Sequence, residues 1–184
     1  MRSGNTESRR ESAGLSVPDA TAMRRALGRF ATGITVVTVG GAEPHGMTAN
    51  AFTSVSLDPP LVLVCVQRTA RLHTAIQESG SFGVSVLGAH QEREARIFAN
   101  HHRPRVGEFT AVEAETGPYS GAPLFRDALA WLECELVAGY EGGDHSIFIG
   151  QVHRIGLGAE HDVLLYFEGG FRRLTAEVPL PDSA

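Results

Sequence analysis

From residue 46 to 57 small polar and apolar side chains alternate, Pro59 and Pro60 interrupt them, and residues 61–66 then run apolar without a break. Alternation of this kind puts every second side chain on the same face, which a strand does and a helix does not, so the segment predicts a sheet. The uninterrupted run after the prolines predicts a strand buried on both faces and therefore a central one. Upstream, the β-branched stretch 34–39 turns at Gly40, Gly41 and Pro44 into the alternating segment, a predicted hairpin. Residues 82–87, 128–140, 146–157 and 163–167 add strands. In the second of these, Ala130, Leu132, Cys134, Leu136 and Ala138 alternate with Glu133 and Glu135, as in a sheet covered on one face. Three helices are expected between strands. Asp19 caps the first, in which Met23, Ala26, Leu27 and Phe30 form a packing face before Gly33 stops it. The others span 69–79 and 90–100, and the second leads into a polar loop of His, Arg, Pro and Gly expected on the surface. The simplest architecture is mainly β: a closed antiparallel barrel with a few peripheral helices.

The 184 residues, 42% of them hydrophobic, suit one domain, placed here at 18–175. A Ser-, Arg-, Glu- and Gly-rich arm over 1–17 and a tail over 176–184 offer little to bury and are expected to be flexible. Sixteen basic against twenty-one acidic residues give a net charge of -5 without a basic stripe, which argues against nucleic acid as a partner. No apolar run approaches the roughly 20 residues that span a bilayer, and the polar N-terminus lacks a signal-peptide core, so a cytoplasmic protein is expected. Cys65 and Cys134 lie in strand-like runs without metal spacing and are expected to be reduced core residues, and the histidines show no metal-ligand pattern. Nucleophile-elbow, Walker A, HExxH and GxGxxG motifs are absent, so any nicotinamide must bind without a Rossmann domain.

Three places carry candidate chemistry. Alternation sets Thr48, Asn50, Phe52, Ser54 and Ser56 on one face, opposite Met47, Ala49, Ala51, Val55 and Leu57. That face is polar but uncharged, which suits a neutral ligand edge that donates and accepts hydrogen bonds; an ordinary hydrated strand gives the same pattern. Next, Arg68 and Arg71 flank a predicted helix start, where free backbone N–H groups and guanidinium groups can meet an anion such as a flavin phosphate, or simply face water. Finally, His145 closes the turn Gly142-Gly143-Asp144-His145, where a histidine is either structural or a ligand contact.

Residues 29–38 (RFATGITVVT) and 46–63 (GMTANAFTSVSLDPPLVL), with Gly143-Asp144-His145 and Leu164-Leu165-Tyr166-Phe167, resemble, in that order, the short-chain flavin reductases of two-component monooxygenases. The resemblance covers about residues 23–174 and implies an antiparallel split β-barrel, a homodimer and bound FAD or FMN lying along the strand of Thr48 and Asn50. It further implies that Gly46, Met47, Ala51, Ser54, Val55, Cys65, Val66 and Gln67 line the flavin, that Arg71 lies near its phosphate and that Phe98 flanks the dinucleotide. By the same resemblance His145 positions the nicotinamide as the catalytic residue, with Tyr166 and Phe167 beside it. The implied reaction is hydride transfer from NADH or NADPH, NADH slightly preferred, to flavin N5, with reduced flavin passing to a partner oxygenase or halogenase. Where the family often has Arg-Gly and an aromatic after Tyr-Phe, this chain has Glu168-Gly169-Gly170-Phe171, which leaves NADH against NADPH open. The segment 101–108 departs from the acidic and aromatic loop of the family and leaves FAD against FMN open. A non-enzymatic flavin-binding or storage module is the rival from another class, since a fold does not fix a reaction. A barrel that oxidises a small substrate with tightly held FMN, as in pyridoxamine-phosphate-oxidase-like proteins, is a third reading, disfavoured by the Gly-Asp-His turn and the short chain.

Overall fold

The computed structural model describes residues 17–104, 106–159 and 162–174. Apart from Val17, the arm expected over 1–17 lies outside the described residues, as does the tail expected over 176–184.

In chain order the elements are α1 (Ala20–Leu27), β1 (Thr32–Gly33), β2 (Thr35–Val39), β3 (His45–Ala49), β4 (Phe52–Leu57), β5 (Pro60–Gln67), α2 (Arg71–Ser79), β6 (Ser81–Val86), a 3₁₀ turn (Ala89–Gln91), α3 (Glu92–Ala99), β7 (Ala114–Thr116), β8 (Pro123–Phe125), β9 (Ala130–Gly142), β10 (His145–Leu157), β11 (Leu164–Phe167) and β12 (Gly170–Arg173). Seven strands form one antiparallel sheet in the order β3-β2-β6-β9-β10-β5-β4. β1, β11 and β12 form a second sheet, and β7 and β8 a short third.

The predicted strand over 46–57 is two strands. β3 pairs with β2 and β4 pairs with β5, so consecutive strands occupy opposite edges of the seven-stranded sheet. Three Cα steps from Ala49 to Phe52 span at most roughly 11 Å, so the two edges must meet and the sheet must curl. Among the described residues no ladder joins β3 to β4, which leaves a seam there. The closed barrel expected from strand count is therefore corrected to a split one. β5 is next to an edge, and β9 holds the middle, contrary to the central place predicted for 61–66. The apolar run has a different cause: Val62, Val64 and Val66 point into the core, whereas Leu63 and Cys65 line a groove on the other face.

α1 begins at Asp19, whose carboxylate accepts the Ala22 N–H at 2.7 Å, and closes at Gly28, short of the expected Gly33. The early stop lets Thr32 and Gly33 pair with Tyr166 and Leu165 of β11. No residue of α1 is buried, so the described residues leave the face expected to pack uncovered: Met23, Leu27 and, beyond the helix, Phe30 are exposed, the last at 75%. α2 ends at Gly80 in the left-handed conformation (φ 67°), which a glycine adopts without a Cβ clash. It buries Leu72 and Ile76 against Val64, Val66, Phe82 and Phe148, the main core. A second core gathers Ile34, Val36, Leu87, Ala95, Phe98, Phe125 and Leu164 under α3. Among the described residues no helix is long and apolar enough to cross a membrane.

Glu133 corrects another expectation. Instead of facing water it is fully buried on β9. Its Oε1 accepts the Tyr119 N–H at 2.9 Å, the Ser120 N–H at 2.8 Å and the Ser120 hydroxyl at 2.9 Å, while Arg154 lies 3.4 Å from Oε2. The carboxylate thus supplies the acceptor that the loop before β8 requires, and no alternation rule can foresee such a partner.

Candidate functional site

A groove of about 800 Å³ opens between the end of α1, the β3–β4 link and β5. Asn50 and Ala51 of the link, Phe52 and Thr53 of β4, and Leu63 and Cys65 of β5 form one wall. The opposite wall is Arg24, Leu27, Gly28, the segment 30–33, Tyr166 and Gly169. The two walls meet because the sheet curls at the seam: there the chain leaves one edge and joins the other, and the Cys65 N–H bonds the Ala51 carbonyl at 2.9 Å. Burial pushes the Cys65 thiol up, so it stays a neutral wall group; burial, with the charge of Glu133, pushes Cys134 up to about 12.

The groove fits a flat, mostly apolar ring with polar edges. Its lining is predominantly aliphatic and aromatic, with the Asn50 amide and threonine hydroxyls as orienting groups. Thr32 Oγ1 is buried there with no hydrogen-bond partner among the described residues, an orphan that a ligand would satisfy.

At the end of β5, His145 begins β10 in register with Gln67. Its Nδ1 lies 2.8 Å from Asp144 Oδ1, and this bond, with the imidazole charge, holds the exposed Asp144 carboxyl below the usual range. The bond fixes the ring and leaves Nε2 as the nitrogen presented outward. The turn is tied down from below, since the Arg68 N–H donates to the Asp144 carbonyl at 3.0 Å and its guanidinium lies 3.5 Å from Glu141. Arg24 of α1 lines the groove, and its charge also acts on Asp144. His145 thus stands beside Gln67, two residues along β5 from the groove residue Cys65.

Arg71, the first residue of α2, is held by an unforeseen cluster. Its Nη1 donates to Glu108 Oε1 at 3.0 Å, and the same fully buried carboxylate receives His45 Nδ1 at 2.8 Å and Arg103 Nη2 at 3.0 Å. Arg103, 9% exposed, also bonds the Gly46 carbonyl and lies 4.9 Å over the Phe98 ring. The loop expected on the surface thus sends two charged side chains inward. Burial lowers the His45 pKa against the pull of Glu108, so His45 is neutral and donates its Nδ1–H. Burial alone would raise Glu108, but the hydrogen bond from His45 and the Arg103 guanidinium hold it below the usual carboxylate range.

Of the residues predicted to touch cofactor, Asn50, Ala51, Cys65 and Tyr166 come together in the groove. Ser54 and Val55 are exposed on β4 beside a bulge, and Gln67, Arg71 and His145 lie where β5 passes into α2. Phe167 is half-buried beside the β11–β12 turn. Val66 and Phe98 are fully buried, Met47 packs on the main core, and Gly46 lies so close beneath Phe98 that a Cβ would stand 2.9 Å from the ring. Thr48 donates its hydroxyl to the Ala95 carbonyl at 2.7 Å, tying β3 to α3. Arg24, Phe30, Ala31, Thr32, Gly33 and Leu63 line the groove without having been singled out for it, and Phe52 joins them from the face that alternation offered to a ligand. A large aromatic followed by small residues at 30–33, just before a strand, was the available signal.

Among the described residues no three His, Cys, Asp or Glu side chains are placed to hold a metal ion.

The model of the flavin reductase like domain matches residues 27–175 of the chain. An NADH-dependent FAD reductase of Streptomyces globisporus is 50% identical over 160 residues, which cover 86% of this chain and 88% of the relative. The reductase component of 4-hydroxyphenylacetate 3-monooxygenase from Thermus thermophilus is 44% identical over 154 residues, 83% of this chain and 95% of the relative. Among solved structures, BorF, the flavin reductase component of a bacterial two-component tryptophan halogenase, superimposes with a TM-score of 0.83 at 51% identity, covering 86% of this chain and all of the other.

Proposed function

Because the chain belongs to the flavin reductase like family, we propose that it is an NADH-dependent flavin reductase that reduces FAD, or FMN, and releases it to a separate oxygenase or halogenase. The observation that carries the reading is the groove at the seam, an apolar slot with Asn50 and, among the described residues, the unpartnered Thr32 hydroxyl, whose β5 wall leads on to Gln67 beside the Asp144-His145 turn. The groove wall of Asn50, Ala51 and Cys65 holds the isoalloxazine, and Arg71, its guanidinium fixed by Glu108, meets the phosphate end. Flavin bound there supplies the hydride acceptor at N5. His145 positions the nicotinamide: with Nδ1 committed to Asp144, Nε2 faces outward to hydrogen-bond the carboxamide. Such a reaction asks no general acid or base of the protein, only stacking distance and exclusion of water, which suits a site poor in titratable groups. The groove is open on one side, as release of the product flavin requires.

The relatives that serve a monooxygenase and a halogenase support a partner of that class. A homodimer is supported by the exposed apolar side chains of Met23, Leu27 and Phe30 on and after α1 and by Leu57, Ile155 and Leu157 at strand ends, which a second copy would cover. Sedimentation is expected to give a two-chain mass, and a one-chain mass at micromolar concentration would refute the dimer. Two free cysteines accord with the reducing cytoplasm. The reductase reading is tested by NADH oxidation in the presence of catalytic FAD: a rate that rises and saturates with added flavin supports it, and flavin binding without oxidation supports the storage module instead.

A further inference from the structure

We propose that His73 is a positioning residue for the reaction: from α2 it holds Ser146, and through Ser146 it sets the angle at which His145 meets the nicotinamide. The inference rests on the reductase reading above. His73 Nε2 and Ser146 Oγ hydrogen-bond at 2.8 Å, and the His73 ring packs on Phe148 with centroids 5.1 Å apart. Both partners belong to β10, which His145 opens.

Register decides which way these side chains point. Directly opposed residues of an antiparallel pair share a face, and neighbours along a strand alternate. Ser146 and Phe148 stand opposite Val66 and Val64, which are fully buried in one core with Leu72 and Ile76 of α2, so both face that core. His145 and Ile147 stand opposite Gln67 and Cys65, and Cys65 lines the groove, so His145 is on the groove face. Ser146 is therefore the residue immediately behind His145. Pinning it to α2 stops the end of the strand from rolling about its own axis, which is the motion that swings the imidazole. The tip of the hairpin has little else to steady it. Gly143 is left-handed (φ 73°), and a Cβ added there meets nothing within 4 Å, so the turn stands clear of the body. Support comes from the segment that joins β5 to α2: the Arg68 N–H donates to the Asp144 carbonyl at 3.0 Å, and His73 takes Ser146. The residue at 146 bears this out. Between Val66 and Phe148 an apolar or β-branched side chain is the ordinary occupant of a strand, whereas serine contributes one hydroxyl, and that hydroxyl is spent on His73.

The test measures kcat/KM for NADH, and flavin affinity by fluorescence titration, in the full chain and in His73→Phe, Ser146→Ala and His73→Gln. Phenylalanine keeps a ring on Phe148 and removes the bond; Ser146→Ala removes the same bond from the other side; glutamine carries an amide to about the place of Nε2. His73→Phe and Ser146→Ala are each expected to lower kcat/KM for NADH about tenfold, with flavin affinity within about twofold, and His73→Gln to recover most of the loss. Because His73 acts through His145, adding His73→Phe to His145→Ala is expected to cost less than about twofold more. A tenfold loss that persists in the His145→Ala background, or flavin affinity that falls in step with turnover, overturns the positioning role. So does full activity in both His73→Phe and Ser146→Ala. A parent chain that oxidises no NADH overturns the reductase reading instead.

Discussion

Glu108→Ala is expected to lower the stability of the fold by about 3–5 kcal/mol, because it leaves the Arg103 guanidinium buried without its counter-ion and His45 without its acceptor. For a chain of this size that is a fall in Tm of roughly 10 °C. Arg71, released at the head of α2, would also lose its fixed geometry, so the variant should lose affinity for FMN more than for riboflavin, which lacks the phosphate. The cluster has a pH signature. Folding lowers the pKa of Glu108, so its contribution is complete above the ordinary carboxylate pKa and is lost as pH falls through the folded value. Melting curves across that acidic range should converge for parent and Glu108→Ala at the low end. A stability loss below about 1 kcal/mol at neutral pH would show that the cluster is not a structural anchor.

His145→Ala should lower kcat/KM for NADH by about 100-fold while leaving oxidised flavin affinity within about twofold. The asymmetry follows from geometry: His145 stands on the β9–β10 turn, held by Asp144, and is not among the side chains lining the groove. Removing the ring takes away orientation of the nicotinamide and leaves the flavin slot intact. Steady-state oxidation with fluorescence titration of flavin separates the two. If flavin affinity falls in step with turnover, His145 belongs to the flavin slot and the assigned division of the site is wrong.

Much of this was legible in the sequence because strands write their burial at period two. The β2–β3 hairpin, α2 with its Gly80 stop, α3 and the long β9–β10 pair lie close to where periodicity and turn residues put them. What alternation missed is where burial is not set by period. The break at Asn50 and Ala51 carries no proline or glycine, so one run of alternation concealed two strands on opposite edges, and with them the seam that makes the groove. Glu133, Glu108 and Arg103 were read as wet because charged residues are mostly exposed; they are buried because partners distant in sequence satisfy them, from the loop at 119–120 and from His45 and Arg71. Chemistry was legible only in part. Asn50, Ala51, Cys65 and Tyr166 line one groove, while Thr48 spends its hydroxyl on α3 and Phe98 lies within the core.

The central claim is that the flavin is a turnover substrate, reduced and let go. Under anaerobic conditions the protein mixed with excess NADH and a large molar excess of FAD should bleach the flavin absorbance almost completely, many equivalents for each chain. Bleaching that stops near a single equivalent per chain would mean that the flavin is retained, and that this protein does not supply reduced flavin to a partner.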